Sequence, residues 1–406
     1  MSRTLVIVGH GMVGHRLADT LRREDRDQRW RTIVLGEESR PAYNRIALSS
    51  CFEGTHLDAL TLPDGPAPAG PAPSVALGTR VVAIDREAGE VVTSPGGRIA
   101  YDALVLATGA RPFVPPVPGH DLAGCFTFRT ADDVRAIRKA AAHARSGVVV
   151  GGGLLGLEAA SALRLSGLRT QVVEGAPHLL AAQIDPAAGA LVARQIEQLG
   201  ITVHCGTALA SIEAGPDGSV SAVRLGDGAE LAADLVVFAA GVRPADELAG
   251  AAGLDRGERG GFRTDDRCRT ADPRIWAVGD CAAVAGRAYG LLAPGYRMAD
   301  AVASQLLGDD AVFPGADTST ALKVLGVQVA SFGDAQARTP GAVEVALERT
   351  GSYLKLVLDA ELRTLLGGVL AGDTSAYRTF LPLVGQPLPP LWLRESEPHL
   401  MSIDAR

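Results

Sequence analysis

Residues 4–14 read TLVIVGHGMVG and residues 148–156 read VVVGGGLLG. Each is a run of mostly β-branched residues that ends in glycines spaced G-x-G-x-x-G: Gly9, Gly11 and Gly14 in the first, Gly151, Gly153 and Gly156 in the second, 142 positions later. A helical pattern follows each, with Leu17, Ala18 and Leu21 on one face in the first copy and Leu157, Ala160 and Leu163 in the second. Another apolar strand then closes on an acid, Glu37 after Ile33–Gly36 and Glu174 after Gln171–Val173. The spacing predicts two complete βαβ units, an internal duplication. One glycine allows the tight turn, one lets the backbone approach a pyrophosphate, and the third lets helix pack close to strand. The pyrophosphate would rest on the helix N-terminus, where free N–H groups and the macrodipole meet its charge, while the closing acid accepts from a ribose hydroxyl.

Between the copies, residues 63–73 (PDGPAPAGPAP) hold five prolines in eleven positions and read as an exposed loop. Short alternating segments follow at Arg80 to Asp85 and Glu90 to Thr93, then the apolar run Ala103 to Ala107 ending at Thr108 and Gly109. Asp234 to Gly241 occupies the same place in the second copy. Each unit is therefore expected to carry a small antiparallel insert before its last strand. From Ile275 a short strand runs into Gly279-Asp280, and Pro294 to Leu307 reads as a helix. After about Asp317 come strand-like pieces at Leu322 to Val329, Tyr353 to Leu358 and Leu365 to Leu370, then a proline-rich tail from Pro382 to Pro390. These predict a third, small domain.

Composition narrows the function. The 406 residues, 47% apolar and 21% charged, suffice for two or three packed domains. With 39 Lys+Arg against 46 Asp+Glu, the net charge of −7 offers no broad basic field for nucleic acid or an anionic membrane. No apolar run approaches the ~20 residues of a membrane span, and Thr4 to Val8 is too short for the core of a signal peptide. The five cysteines (51, 125, 205, 268 and 281) form no C-x-x-C, which argues against a local redox disulfide, a ferredoxin-type cluster or a zinc ribbon. A reducing, cytoplasmic setting is expected. The eight histidines show no metal-ligand spacing, and the arginines from Arg256 to Arg269 alternate with acids, as on a solvated face. No metal site is expected.

Two dinucleotide fingerprints with A-T-G at 107–109 and V-G-D at 278–280 resemble the glutathione-reductase-like FAD/NAD(P)H oxidoreductases, over residues 1 to about 308. The strings VGHGMVGHR (8–16), RPAYNRIALSS (40–50), LKVLGVQVASFGD (322–334) and LLGGVLAGDTSAY (365–377) are more closely similar to the flavin-reductase portion of assimilatory NAD(P)H nitrite reductase large subunits. The likeness to ferredoxin and rubredoxin reductases is more distant. The resemblance implies an α/β fold with two Rossmann-like dinucleotide-binding domains and a small α+β C-terminal domain. An FAD-binding domain would comprise residues 1–113 and 241–310, an NADH-binding domain 114–240, and the C-terminal domain 317–406. Full nitrite reductase subunits continue into cluster and sirohaem regions that are not in this sequence, so the resemblance implies a reductase that does not reduce nitrite alone.

Residue by residue, the resemblance places FAD on Gly9, Gly11, Met12, Val13 and Gly14, with Glu37 preferred to Glu38 for the ribose. Val82 and the run Ala107, Thr108 and Gly109 would add contacts. So would Arg129, Gly279, Asp280 and Ala293, and Gly241 where the chain returns from the second unit. NADH would lie on Gly151, Gly153, Leu154, Leu155 and Gly156, with Glu174 on its ribose. A carboxylate there repels a 2′-phosphate and no arginine lies in 175–180, so NADH is favoured over NADPH. Glu158, expected on the first helical turn, either projects toward the flavin–nicotinamide junction, as in relatives, or simply favours the helix dipole. Ferredoxin reductases often have a Lys where Ser50 stands, so a cation near the flavin would have to be Arg45. Cys51 reads as a structural thiol rather than a redox one. The expected reaction is hydride transfer from NADH to flavin, then electron delivery to a redox partner protein, a ferredoxin or a nitrite or nitrate reductase component. An oxidase using O2 or a small organic acceptor, and a non-catalytic dinucleotide-binding scaffold, are the alternatives. The resemblance leaves room for a homodimer.

Overall fold

The computed structural model describes residues 2–65, 72–94 and 96–388; most of the proline loop and the end of the proline-rich tail lie outside them. The chain divides into two compact units, Met1–Phe113 with Arg129–Val134 and Gly241–Asp317, and Val114–Phe128 with Arg135–Ala240 and Thr318–Arg406.

In the first unit a five-stranded parallel sheet runs in the order Ile275–Ala277, Ala103–Leu106, Arg3–Val8, Trp30–Leu35, Ser74–Ala76. Leu5, Val6 and Ile7 are fully buried, as the continuous apolar run requires of a central strand covered on both faces. The helix Met12–Glu24 leaves the first strand and packs on the helix Leu292–Leu307. The insert is a three-stranded antiparallel sheet of Val81–Asp85, Glu90–Thr93 and Arg98–Ala100.

The second unit repeats this plan. Its parallel sheet runs Ile201–Cys205, Arg169–Glu174, Ser146–Val150, Leu235–Phe238, Cys125–Thr127, with the helix Leu154–Leu165 after the central strand. Its insert is the antiparallel sheet Leu209–Ala214, Val220–Leu225, Glu230–Ala232. The C-terminal segment groups with this unit as a five-stranded antiparallel sheet in the order Thr320–Val324, Val327–Gly333, Leu365–Ala371, Ser352–Leu358, Val343–Arg349. Helix Pro186–Gln198 lies against that sheet.

The structure departs from the expectation drawn from sequence in three details. Leu322 to Val329 is a hairpin, because Leu325 and Gly326 both take positive φ (55° and 83°) in a two-residue loop. The strand Val343–Arg349 was missed because it lies at a sheet edge, exposed along almost its whole length, and so lacks a buried face to pattern it. The segment Arg129–Val134 belongs with the first unit although its neighbours on both sides belong with the second.

Candidate functional site

The two glycine loops have the same geometry. Gly9 (φ 113°) donates its N–H to Leu35 O at 2.8 Å, and a Cβ there would collide with the carbonyl of Ala107. Gly151 (φ 117°) donates to Val173 O at 2.8 Å, and its Cβ would collide with the carbonyl of Ala239. A Cβ on Gly14 would strike Gly9 O, and one on Gly156 would strike Gly151 O. The first and third glycines are thus required by packing. The middle ones are not: nothing lies within 4 Å of a Cβ built on Gly11 or Gly153. Gly11 and Gly153 are the N-caps of the helices Met12–Glu24 and Leu154–Leu165, in extended backbone and with no capping side chain. Met12, Val13 and Gly14, like Leu154, Leu155 and Gly156, therefore open their helices beside a glycine that faces open space, a setting that suits a diphosphate.

Glu37 follows Gly36 at the end of the strand Trp30–Leu35, half-exposed, within 3.3 Å of Arg111 and 3.6 Å of Arg80. Glu38 is engaged within the protein, accepting from Tyr43 Oη at 2.8 Å and Arg45 Nη2 at 2.6 Å. Glu174 accepts from Gly152 N–H at 2.5 Å and Ala176 N–H at 2.7 Å, so it braces the second glycine loop.

Other residues named from the sequence lie elsewhere in the first unit. Asp280 meets Arg129 Nη2 at 2.9 Å, each side chain about one-fifth exposed. Gly279 (φ 77°) packs on Val13. Ala293 is exposed on the first turn of the helix Leu292–Leu307, whose N-cap, Leu291, offers no side-chain acceptor. Thr108 Oγ1 donates to Ala245 O at 2.6 Å, and Gly109 O accepts from Ala245 N–H at 2.9 Å. Gly241 O accepts from Phe113 N–H at 2.9 Å, where Ala110–Pro112 pairs antiparallel with Val242–Pro244. Val82 falls at a register shift between Val81 and Ala83, with its side chain 49% exposed. Arg45 is bound by Glu38 and by the Arg129 carbonyl at 2.8 Å.

Glu158 is not on the first turn. The helix begins at Leu154, directly after Gly153, so Glu158 is its fifth residue, and no acid lies in the opening turn. Among the described residues no group of His, Cys, Asp and Glu could hold a metal ion, and no helix is long and apolar enough to cross a membrane. No disulfide joins any of the five cysteines, and Cys51 is buried. Burial pushes the thiols of Cys125 and Cys268 up to about 11 and about 12, and it raises that of Cys281.

Among the described residues of the first unit six buried polar atoms have no hydrogen-bond partner, and three of them are His10 Nδ1 in the glycine loop, Asn44 Oδ1 beside Arg45, and Arg129 Nε. Buried polar groups left unpaired are costly, so unmet donors and acceptors in these segments mark a place for a polar ligand. With the open middle glycine, the residues of the first loop fit an adenine dinucleotide cofactor. Burial also lowers the pKa of His10, which lies edge-on to His15 with ring centroids 5.9 Å apart. The sequence reading had passed over Glu38 and Tyr43; only their contacts with Arg45 and with Ala131 N–H distinguish them.

Residues 3–305 match the family model described as pyridine nucleotide-disulphide oxidoreductase, and residues 319–386 match the rubredoxin NAD+ reductase C-terminal domain. The chain is 47% identical over 389 residues to the nitrite reductase [NAD(P)H] large subunit of Klebsiella oxytoca, covering 95% of this chain but only 40% of that protein. It is 33% identical over 351 residues to the ferredoxin–NAD(+) reductase component of the biphenyl dioxygenase system of Paraburkholderia xenovorans, covering 85% and 84% of the two chains. A crystal structure of a ferredoxin reductase from Rhodopseudomonas palustris superposes with a TM-score of 0.82 at 28% identity over 96% of each chain. The paired glycine cradles and these likenesses agree: the chain belongs to the pyridine nucleotide-disulphide oxidoreductase family, as a flavin-dependent enzyme that uses a pyridine nucleotide.

Proposed function

We propose that the chain takes electrons from NADH and passes them to a redox partner protein, a ferredoxin or a nitrite or nitrate reductase component. The observation that carries this reading is the pair of cradles whose middle glycines, Gly11 and Gly153, face open space. The relatives named above act with ferredoxin or within nitrite reductase, and the chain spans less than half of the nitrite reductase subunit it matches.

In this reading residues 1–113 and 241–310, with the segment Arg129–Val134, hold FAD, the rest of 114–240 holds NADH, and 317–406 form the C-terminal domain. Bound flavin supplies a two-electron acceptor that can release electrons singly. The chain's part is to bind and orient. Helix N-termini at Met12 and Leu154 meet the diphosphates, Glu37 and Glu174 accept from ribose hydroxyls, and Asp280 with Arg129 borders the flavin side of the first cradle. Val82 and Ala293 supply exposed positions in the first unit, and Glu158 stands on the second turn of the helix Leu154–Leu165. The Glu174 carboxylate disfavours a 2′-phosphate, hence NADH over NADPH. A reducing, cytoplasmic setting belongs to this reading, in keeping with five cysteines that form no C-x-x-C.

Anaerobic titration with NADH, followed by addition of ferredoxin or cytochrome c, tests the proposal. Bleaching of a flavin band by NADH and re-oxidation by the protein acceptor are expected. Re-oxidation by O2 at full turnover with no response to protein acceptors would instead indicate an oxidase, and a colourless protein that takes up no FAD would indicate a scaffold.

A further inference from the structure

The segment Arg129–Val134 is a short piece of the first unit set between two stretches of the second. Two hydrogen bonds grip its start. Arg45 Nη1 donates to the Arg129 carbonyl at 2.8 Å, and Ala131 N–H donates to Tyr43 Oη at 3.1 Å. Both grips meet in one carboxylate: Glu38 Oε1 accepts from Arg45 Nη2 at 2.6 Å, and Glu38 Oε2 accepts from Tyr43 Oη at 2.8 Å. Tyr43 is buried, with its ring 5.2 Å from the Arg45 guanidinium carbon. Burial first of all, with Glu38 adding to it and Arg45 opposing it, pushes the Tyr43 phenol up to about 12, so it remains a donor to Glu38.

Beyond this grip, the Arg129 side chain reaches Asp280 Oδ2 at 2.9 Å through Nη2, while its Nε–H is buried with no partner. A guanidinium presents its donors in a rigid fork, so where the backbone of residue 129 is held decides where that unspent N–H points. Asp133 fixes the same segment from its other side, accepting from the N–H groups of Arg129 and Thr130 at 2.9 and 2.8 Å.

We propose that Glu38 is a positioning residue for the flavin site: its carboxylate clamps Arg45 and Tyr43 onto residues 129 and 131 and so sets the Arg129 guanidinium beside Asp280, with Nε–H directed to an acceptor on the bound cofactor. This rests on the reading of the first cradle as the FAD site. Glu38 itself touches no cofactor in this scheme, and Arg45 acts through the Arg129 backbone.

The test is a double-mutant cycle read by FAD affinity and by the visible spectrum of the bound flavin, with apo-protein melting as control. Glu38→Ala and Arg45→Ala are each expected to weaken FAD binding about tenfold and to shift the flavin band, and the double variant to be no weaker than either, since residues acting through one contact are not additive. Glu38→Gln keeps one acceptor oxygen, for Tyr43, but turns an NH2 donor toward Arg45, and is expected to weaken FAD binding less than Glu38→Ala does. Wild-type affinity and spectrum in Glu38→Ala, or losses that add in the double variant, would overturn the proposal. So would a drop in apo-protein melting with no change in the band. Should Glu38→Ala not fold, Glu38→Gln and Arg45→Lys carry the same cycle with the same criterion. If the wild-type protein binds no FAD, the reading of the cradle fails; if it does bind FAD and the cycle is flat, only the role of Glu38 fails.

Discussion

Arg129 Nη2 and Asp280 Oδ2 meet at 2.9 Å although 151 positions separate them in the chain. The contact ties the segment Arg129–Val134 to the turn that follows the strand Ile275–Ala277, and both side chains are largely shielded. Asp280→Asn keeps the shape but removes the charge that holds Arg129. A charge-assisted hydrogen bond of this kind contributes about 1.5–3 kcal/mol, so FAD affinity is expected to fall by about ten- to a hundredfold. The flavin-to-protein absorbance ratio of the purified variant, followed by FAD titration of the apo protein, measures it; full wild-type retention would detach the pair from the cofactor.

The glycines of the second loop separate packing from binding. Gly156→Ala drives a Cβ into the Gly151 carbonyl and is expected to cost about 1–3 kcal/mol of stability through overpacking. Gly153→Ala meets nothing in the protein, so unfolding should hardly change while KM for NADH rises at least tenfold as the methyl occupies the diphosphate's space. Thermal melting and steady-state kinetics on both variants check the contrast.

Glu174 carries the predicted coenzyme preference. In Glu174→Ala the ratio of kcat/KM for NADH to that for NADPH should fall by about tenfold, the effect of removing one charge repulsion. The N–H groups of Gly152 and Ala176 lose their acceptor in the same variant, so its KM for NADH should rise as well. An unchanged ratio would place the 2′-position elsewhere.

The buried Lys355 ammonium joins the C-terminal sheet to the second nucleotide unit. It lies 2.8 Å from Glu344 and 3.4 Å from Asp185, whose other oxygen caps the helix Pro186–Gln198 by accepting from the N–H groups of Ala187 and Ala188. Lys355→Met would leave the buried Asp185 carboxylate without a cation, at a cost of about 2–4 kcal/mol, whereas the half-exposed Glu344 can return to water. Denaturant unfolding of the variant reads this directly.

The thiols should be slow to react. With Cys125 raised to about 11 and Cys268 to about 12, both stay protonated at pH 8, and the thiolate fraction of Cys125 should grow about tenfold per pH unit between pH 8 and 10. Alkylation rates followed by mass spectrometry across that range check the sign. Cys51→Ser is expected to leave NADH-dependent acceptor reduction unchanged; loss of turnover would restore a redox role for that thiol.

Local pattern was enough for the two βαβ units. Their signals lie within some thirty residues, where β-branched runs, glycine spacing and a closing acid each report a backbone requirement that one residue type satisfies. Gly9 and Gly151 take positive φ against a neighbouring carbonyl, a constraint that appears in the sequence as glycine and nothing else. Where no such constraint acts, the pattern was silent: the exposed edge strand Val343–Arg349 has no buried face, and the loop at Leu325 places a leucine in a conformation usually left to glycine.

The sequence alone therefore determined the class of fold, the duplication, and the tight glycine turns of both loops, because these obey short-range rules of chain geometry. Only the tertiary structure decided which side chains share a charge: that Glu38 serves Arg45 and Tyr43, that Arg129 answers Asp280, and that Lys355 sits on Asp185. Such pairings depend on side-chain geometry and burial, and no spacing in the sequence records which carboxylate will stand beside which donor once the sheets and helices have packed.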